Sequence, residues 1–451
     1  MTLHCHFVVV LVVTAAAMLT ARAGAQVQST VLSAHASNRG VSVRMSNKAV
    51  TLGEGDERRT HVVWHDYTPD PGGPAAGAGW KSRRNSAAMV RTYDHSTGEW
   101  SDPVTIGPGV DNHNNPALVA DSTGILHVVY GAHESPLFYR HSLRPNDASE
   151  WSEEIRCGEL LTYPSLTCDS DDVLHVTARE RDPDDLKRYL ACYEKRPGDE
   201  WERVARIVDS RRTEYTNFGN CLGVDDEDRL HLSFSVYAPE ISAGRCVGYL
   251  RSDDGGRSWQ TAAGRTVDLP IPEHEGPADV YVRRGDDLRV LNGNLAAGPD
   301  GSPWLTFGER TEDRVLRPWL AHLTDRGWEF TDLLPHVRES MRARGASVVV
   351  SVTDPGEVWC LTSGQLLQPG YTVALLRSDD DGATFTSTTL WSGDPETDEP
   401  VWMVNMQRHV DPWPMSAPVI LYLTGAERGD QVDESYHEAH AILPKWLPGP
   451  R

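Results

Sequence analysis

The chain has 451 residues, which is long enough for a large buried core, and its 43 Lys plus Arg against 65 Asp plus Glu give a formal net charge of −22. A chain this acidic argues against a nucleic-acid partner, because such partners are normally bound by a basic stripe and none is visible here. The 14 Trp, 38 Gly and 29 Pro favour many short strands and turns over helices.

The first 25 residues are predicted to be an export signal. Phe7 to Leu19 form an apolar run that is too short to span a bilayer, and Ala23-Gly24-Ala25 is a small-residue cleavage site. No later segment reaches transmembrane length, so the sequence predicts a secreted or periplasmic protein that does not insert in a membrane. The remaining residues, 26–451, are expected to form a single domain.

Six cysteines follow the predicted cleavage site, and none has the C-x-x-C spacing of a metal site. Most of them lie in or beside apolar strand patterns, where a free buried thiol is the simplest interpretation. They are Cys157, Cys168, Cys192, Cys221, Cys246 and Cys360.

A short apolar strand recurs seven times along the chain, at 61–64, 126–129, 174–177, 230–233, 303–306, 358–361 and 418–421. Each of the first six copies is followed by a second strand with a terminal aromatic: Trp100, Trp151, Trp201, Trp259, Trp328 and Phe385. Repeats with two-residue alternation predict an all-β fold, a seven-bladed β-propeller. A sandwich would not explain the sevenfold register. We expect an N-terminal strand near 27–34 or 41–45 to pair with the last blade.

Two segments, 252–259 and 378–385, fit the stricter pattern S-x-D-x-G-x-[ST]-[WF]. This pattern resembles the Asp-box, or BNR repeat, of sialidase-like propellers. It predicts a hairpin turn in which the Asp accepts backbone N–H bonds, the Gly takes a positive φ and the aromatic packs between sheets. Such a turn stabilises the fold and carries no catalytic chemistry.

Polar residues occupy corresponding positions in three successive repeats. His113 precedes the strand at 126–130 and His133 follows it, whereas Tyr163 and Arg179 hold the equivalent places in the next repeat. One repeat further, Tyr215 lies in the matching loop. Because loops from several blades converge at one mouth of a propeller channel, these residues are predicted to share a site.

The His-x19-His pair, the Tyr-x15-Arg pair and the further Tyr, on a repeat propeller behind an export signal, resemble the ulvan lyases and related uronate-cleaving polysaccharide lyases. The resemblance covers residues 111 to 237 in motif. It implies β-elimination at a uronic acid of a rhamnose-uronate polysaccharide such as ulvan. It also places His113, His133, Tyr163, Arg179 and Tyr215 in the site.

These residue types suit that reaction. Arg179 has the fork that pairs bidentately with a carboxylate, and with His133 it would stabilise the enolate. His113 and Tyr163 would then transfer protons to and from the sugar. Roles within each pair are interchangeable at this stage. Tyr215, Asn115 and Asn217 are the predicted substrate-binding residues.

Several alternatives stay open. His127, His175 and His231 recur in phase inside strands, so they are interpreted as structural. For Tyr215, the sequence supports equally a place in the site and a role as an aromatic that packs between blades. A sialidase-like hydrolase or a non-catalytic glycan-binding propeller would also fit the repeats. The early Arg-Ile-Pro type signal of sialidases is absent, and a binding propeller would lack the His/Tyr/Arg set.

The expected partner is an anionic polysaccharide, bound by a monomer. Elimination of this kind requires no cofactor, and no protein metal ligands are assigned, although a structural calcium ion in the channel is compatible with the architecture. The sequence does not decide between ulvan and a gum-type rhamnosyl-glucuronate, nor between endo and exo action.

Overall fold

The structure is a computed structural model. The residues it describes are 27–42, 44–67, 86–109, 112–113, 116–131, 133–273, 275–298, 300–312, 315–337, 341–342, 347–353, 357–365, 371–392, 401–408, 417–425 and 437–447. The predicted signal segment 1–25 lies outside them, and the single-domain assignment of 26–451 stays a prediction.

The described residues form β-strands and short 3-10 turns. The strands of the first half are β1 (Thr30–Ala36), β2 (Ala49–Leu52), β3 (Arg59–Tyr67), β4 (Ser86–Asp94), β5 (Glu99–Trp100), β6 (Val104–Pro108), β7 (Ala117–Ala120), β8 (Leu126–Tyr130), β9 (His133–Arg144), β10 (Asp147–Trp151), β11 (Ile155–Cys168), β12 (Leu174–Arg181), β13 (Arg188–Lys195), β14 (Glu202–Asp209), β15 (Phe218–Val224) and β16 (Leu230–Ala238).

Those of the second half are β17 (Ala243–Gly244), β18 (Cys246–Ser252), β19 (Ile271–Pro272), β20 (Tyr281–Arg284), β21 (Val290–Ala297), β22 (Pro303–Arg310), β23 (Val315–Thr324), β24 (Gly327–Asp332), β25 (Met341–Arg342), β26 (Ser347–Thr353), β27 (Glu357–Gln365), β28 (Tyr371–Ser378), β29 (Thr386–Ser392), β30 (Val401–Met406), β31 (Ile420–Thr424) and β32 (His437–Ile442). The 3-10 turns span Gly55–Glu57, Ala278–Val280, Leu334–His336 and Pro444–Trp446.

The strands are arranged as a β-propeller. Consecutive strands pair mostly antiparallel, and the inner strands contact one another in chain order: β2, β7, β11, β15, β21, β26 and β30. Strand β1 pairs with β32, with Thr30 opposite Ala441 and Ala36 opposite His437. The predicted pairing of an N-terminal strand with the last blade is therefore confirmed. Hydrogen bonding joins neighbouring blades into four sheets, so the count of seven blades stays a prediction.

The repeated aromatics pack in the hydrophobic clusters that join the blades. Trp259 is completely buried in the cluster between β13 and β16, and the other five lie partly buried against similar clusters, which confirms their predicted packing role: Trp100, Trp151, Trp201, Trp328 and Phe385. The core is thus distributed over the seams between blades.

The two S-x-D-x-G-x-[ST]-[WF] segments have the hydrogen bonds expected of them. In the first, the backbone N–H of Ser258 donates to Asp254 over 2.9 Å and that of Gly256 donates to the Ser252 hydroxyl over 2.8 Å. Gly256 has a φ of 88°, which favours glycine. The second segment repeats this geometry, with Thr384 donating to Asp380 over 2.8 Å.

The in-phase histidines are structural. Each lies in a strand and contacts an Asp of the preceding turn, at 3.1 Å for His127, 2.8 Å for His175 and 2.9 Å for His231. Their carboxylate partners are Asp121, Asp169 and Asp225. These contacts fasten each hairpin to its own turn. We call this end of the strands the turn end.

A segment between β1 and β2 runs through the middle of the molecule. We define it as the central segment, residues 37–42 and 44–48. It hydrogen-bonds to inner strands on several sides: Asn47 Nδ2 donates to the Leu118 carbonyl over 2.9 Å, Ser165 Oγ donates to that of Met45 over 3.1 Å, and Asn405 Nδ2 donates to that of Val41 over 3.2 Å. The propeller axis is therefore filled by the chain itself.

The six cysteines after the predicted cleavage site are free and buried, as the sequence predicts. Among the described residues, no helix is long and apolar enough to cross a membrane.

Candidate active site

Two imidazoles from neighbouring loop and strand ends stack on each other. The ring centroids of His113 and His133 are 4.0 Å apart and their planes are 29° apart. His113 lies between β6 and β7, and His133 is the first residue of β9. Both residues are 7% exposed. Packing therefore brings two histidines twenty positions apart into one cluster, as the sequence predicts.

Strand pairing places the next site residues beside them. Thr162 on β11 is opposite His133 on β9 and opposite Arg179 on β12. Thr162 thus lies between His133 and Arg179. The side chains of these three residues come from the adjacent strands β9, β11 and β12, at one end of the sheet. We call this end the site end. Such rigid strand registers hold catalytic geometry better than loops do.

Tyr163 follows Thr162 and departs from regular strand geometry. Its φ is 58°, the strand register shifts between Thr162 and Ser165, and Asn220 donates to its carbonyl over 3.1 Å. The ring lies 5.9 Å from His113, centroid to centroid. A bulky residue in the left-handed region is rare and strained, and such strain is concentrated at functional sites.

Tyr163 is protonated in the free protein. Burial, reinforced by the neighbouring phenol of Tyr215, raises the pKa of Tyr163, although Arg39 and Arg179 act in the opposite direction. The raised pKa means that the phenol carries its proton at neutral pH.

Arg179 is only 1% exposed and contacts two tyrosines. Its guanidinium carbon is 5.4 Å from the Tyr163 ring centroid and 5.7 Å from that of Tyr215. Its Nη1 donates to the Thr216 carbonyl and its Nη2 to the Thr162 hydroxyl, both over 2.9 Å. These two bonds use one N–H of each terminal nitrogen, whereas Nε has no partner among the described residues, so the predicted pairing of Arg179 with a carboxylate stays a prediction.

A carboxylate that the sequence analysis missed lies at the centre of the cationic groups. Glu134 is 2.8 Å from Arg188 Nη2, 3.4 Å from Arg181 Nη1 and 3.6 Å from Arg179 Nη2. Burial opposes its ionisation, but the three guanidiniums lower the pKa of Glu134 overall. The cluster therefore holds three positive charges against one negative charge, which suits an anionic ligand.

Arg188 connects this cluster to the Tyr215 loop. Its Nη1 donates to the carbonyls of Thr213, over 3.2 Å, and Glu214, over 2.9 Å. Its guanidinium carbon is 5.9 Å from the Tyr215 ring centroid. The loop is thus fastened by an ion-paired arginine. In the sequence, Glu134 could have been identified by its position directly after His133. Arg188 could not, because its hydrogen-bond partners are 25 to 54 residues away.

Two of the three predicted substrate-binding residues, Tyr215 and Asn217, are among the residues that the structure describes. Tyr215 is 47% exposed at the edge of the cluster, and Asn217 Nδ2 lies 3.4 Å from its hydroxyl. Asn115 lies outside the described residues. The structure therefore brings His113, His133, Tyr163, Arg179, Tyr215 and Asn217 together, while their roles stay predictions.

The described part of the chain contains no group of three His, Cys, Asp or Glu side chains arranged to hold a metal ion. The site is built instead from imidazoles, phenols and guanidiniums. These groups can transfer protons and stabilise negative charge.

Comparison with known proteins agrees with this architecture. Residues 77–333, more than half of the chain, match the profile of a BNR repeat-containing family. The chain is 32% identical over 90 residues to the ulvan lyase of Alteromonas sp. (strain LOR), a match covering 14% of this chain and 19% of that protein. It is 27% identical over 110 residues to the ulvan lyase-PL25 of Pseudoalteromonas sp. (strain PLSV), covering 19% and 22%. These matches span about a fifth of each relative.

Solved structures extend the similarity over nearly the whole fold. A PL25 ulvan lyase superposes with a TM-score of 0.69 at 14% identity, covering 91% of this chain and 95% of that one, and the same values hold for its form bound to -[GlcA(1-4)Rha3S]-. The polysaccharide lyase Uly1 has a TM-score of 0.56 at 11% identity, covering 93% and 99%. At such identities the likeness shows a shared fold.

Proposed function

This chain belongs to the BNR repeat-containing family, and we propose that it is a secreted polysaccharide lyase that cleaves a glycosidic bond at a uronic acid by β-elimination. The observation that carries the proposal is the cluster at the site end, where His113 lies 4.0 Å from His133 and 5.9 Å from Tyr163 between ring centroids. Arg179 lies 5.4 Å from the same tyrosine ring.

The cluster contains the groups that the elimination needs. A base removes the proton on C5 of the uronate, the electrons of that C–H bond form the C4=C5 double bond, and the C4–O4 bond breaks. The leaving O4 takes a proton from an acid. The C5 proton is removed readily only when the adjacent carboxylate is neutralised, because negative charge develops on it as an enolate.

Arg179 and His133 are assigned to that neutralisation. The hydrogen bonds from its terminal nitrogens to protein oxygens fix the position of Arg179, so the guanidinium holds a fixed positive charge beside the carboxylate. A preorganised charge in a water-poor site stabilises developing charge without reorganisation. The imidazole of His133 is the direct hydrogen-bond donor to the carboxylate.

Tyr163 and His113 are assigned to proton transfer. Burial raises the pKa of Tyr163, so the phenol begins the reaction protonated, as the acid that protonates O4 must be. His113 is then the base at C5, since a neutral imidazole accepts a proton near neutral pH. The reverse assignment within the pair requires Tyr163 to ionise against its raised pKa.

The substrate class follows from the relatives and from charge. The matched proteins are named as ulvan lyases, and the superposed lyase binds a glucuronate–rhamnose-sulfate saccharide. We therefore propose a rhamnose-uronate polysaccharide of the ulvan type as substrate. The surplus of positive charge around Glu134 supports an anionic ligand in a protein whose overall charge is −22.

A polysaccharide panel with matched tyrosine variants tests the proposal. The purified protein is incubated with uronate-containing polysaccharides, and ultraviolet absorbance of the new double bond is followed. We expect Tyr163→Phe to lose this signal by about 10²- to 10⁴-fold, the range for one proton-transfer group. Tyr139→Phe is the control, because Tyr139 is also buried but contacts the structural His127 over 2.7 Å. A wild type that forms no unsaturated product, or a fully active Tyr163→Phe, would refute the proposal.

A further inference from the structure

The central segment contacts the loop that carries His113 at two points. The Nζ of Lys48 donates to the Pro116 carbonyl over 2.6 Å, three positions after His113. Directly before His113, the Nδ2 of Asn112 donates to Asn38 Oδ1 over 3.0 Å. Hydrogen bonds on both sides of the histidine along the chain thus fix where this loop lies relative to the propeller axis.

The same segment also contacts the bulge of β11 at Tyr163. The Ser46 hydroxyl donates to the Pro164 carbonyl over 2.5 Å, and the Ser165 hydroxyl donates in the other direction to the Met45 carbonyl over 3.1 Å. These two residues of β11 directly follow Tyr163, whose φ is 58°. A strained backbone persists only where its surroundings hold it, and these bonds from the central segment do so.

The two donors lie two positions apart on one short stretch of chain. Ser46 and Lys48 are both buried, and Asn47 between them is tied to β7. The backbone N–H of Leu118 donates to the Asn47 carbonyl over 2.9 Å, and Asn47 Nδ2 donates to the Leu118 carbonyl over 2.9 Å. A stretch fixed in this way holds the histidine loop and the tyrosine bulge at a set separation.

Lys48 is an unfavourable residue here for stability alone. It is 1% exposed, burial lowers the pKa of Lys48 to about 7, and within the described part of the chain no carboxylate pairs with it. An ammonium taken out of water without a counter-charge destabilises the folded state, whereas an apolar side chain of similar length would not. The contact with Pro116, rather than packing, therefore accounts for a lysine at this position.

We propose that Lys48 and Ser46 are positioning residues for the proton-transfer pair. Lys48 fixes the loop of His113, Ser46 fixes the bulge of Tyr163, and together they set the separation of two side chains that must reach one sugar ring. Both act through backbone carbonyls and take no part in the chemistry. The inference rests on the proposed lyase function, because it concerns the geometry of that reaction. A misplacement of about 1 Å lowers such a rate by up to about 100-fold.

Lys48→Met tests this role with a side chain of similar length that lacks the donor. We expect kcat for double-bond formation to fall about 10- to 100-fold, as for a small misplacement of reacting groups, and KM to stay nearly constant. The melting temperature should equal or exceed that of wild type, since the variant buries no ammonium. A wild-type kcat would overturn the proposal, and so would a loss of kcat that only accompanies a lower melting temperature.

Lys445→Met is the matched control. The ammonium of Lys445 donates to the Tyr93 hydroxyl and lies 4.7 Å from the Tyr93 ring centroid. Neither residue lies on a strand or loop that carries a predicted site residue. This variant should lower the melting temperature and leave kcat unchanged, which is the opposite pattern to that expected for Lys48→Met.

A second variant decides the matter if Lys48→Met does not fold. Ser46→Ala removes only the hydroxyl that donates to the Pro164 carbonyl. It should lower kcat with KM nearly constant, because the bulge at Tyr163 loses one of its two bonds to the central segment. Wild-type kinetics in Ser46→Ala would then overturn the positioning role.

Histidine NMR separates this inference from the proposed function. The ring-proton resonances of His113 and His133 depend on their stacking at 4.0 Å between centroids, and alanine variants of each assign them. We expect Lys48→Met to shift the His113 resonance and Lys445→Met to leave it unchanged. A shifted resonance, together with no double-bond formation by wild type on any polymer, retains the positioning role and rejects the lyase. Double-bond formation with an unshifted resonance and a wild-type kcat in Lys48→Met does the reverse.

Discussion

The two ends of the blade strands carry the same residue type in different arrangements. At the turn end, His127, His175 and His231 each contact the aspartate of their own hairpin, at 2.8 to 3.1 Å. At the site end, His113 and His133 stack on each other at 4.0 Å between centroids. The first arrangement recurs from blade to blade, whereas the second occurs once in the described residues.

Recurrence therefore separates the stabilising histidines from those of the candidate site. A contact that fastens a hairpin to its own turn can recur along the chain, because each hairpin has the same folding problem, and here it appears in three successive repeats. A ligand site needs one asymmetric set of groups. The left-handed backbone of Tyr163 and Glu134, with φ of 58° and 48°, is consistent with strain that the surrounding structure holds in place at the site end.

Replacing one histidine at each end should give the largest difference between the ends in activity and stability. His133→Ala removes the imidazole assigned to the carboxylate, so we expect kcat/KM to fall by about 10²- to 10⁴-fold with little change in melting temperature. His127→Ala removes hydrogen bonds to Tyr139 and Asp121, so it should lower the melting temperature and leave kcat/KM of the folded protein unchanged. The comparison between ends fails if both variants lose activity equally.

Neutralising Glu134 should produce a smaller effect on turnover. In Glu134→Gln, Arg188 and the Tyr215 loop lose their anchoring charge, so we expect kcat to fall about 10- to 100-fold, as for a lost charged hydrogen bond. KM for an anionic substrate should stay equal or decrease, because a negative charge has been removed. Steady-state kinetics over a range of pH separates this positioning role from simple unfolding.

Glu180→Gln is the control for that variant. Glu180 also pairs with two arginines, Arg203 at 2.8 Å and Arg206 at 2.5 Å, but it is not in the site cluster. It should alter stability without the split between kcat and KM. Equal kinetics in the two glutamine variants would contradict a positioning role for Glu134.

Removing a turn-end carboxylate should act on stability alone. Asp225 accepts hydrogen bonds from Arg229 over 2.7 Å and from His231 over 2.9 Å, and its side chain is fully buried. We expect Asp225→Asn to lower the free energy of unfolding by about 1 to 3 kcal/mol, measured by urea denaturation. Asp121→Asn should have a smaller effect, since Asp121 retains 13% exposure of its side chain.

Acid should reduce the difference between Asp225→Asn and wild type. Burial opposes ionisation of this carboxyl, but hydrogen bonds from His231 and Arg229 hold the pKa of Asp225 at about 2. The folded pKa is lower than that of the unfolded chain, so the contribution is complete above the unfolded value of about 3.9 and is lost as the pH falls towards 2. Denaturation midpoints of the two proteins should therefore converge over this window; a constant difference would contradict the assignment.

Much of the fold was predictable because its determinants are local. The two-residue alternation, the turn aspartates and the terminal aromatics all lie within single repeats, and the strands, seam packing and closing pair β1–β32 follow from them. The proximity of His113, His133, Tyr163 and Arg179 could also be predicted, because these residues hold equivalent positions in successive repeats. Their contacts could not be predicted, because the partners of Arg179 are distant along the chain: Thr162 lies 17 residues away and Thr216 lies 37 residues away.

The sequence by itself determined the all-β repeat architecture and the short set of residues at the site end, since both depend on periodic position along the chain. Only the tertiary structure decided how the charges are balanced. Glu134 pairs with an arginine 54 residues away, and Arg44 lies against a carbonyl 248 residues away without a carboxylate partner in the described residues. Electrostatic pairing depends on distance in space, and the closure of the propeller around the central segment sets those distances.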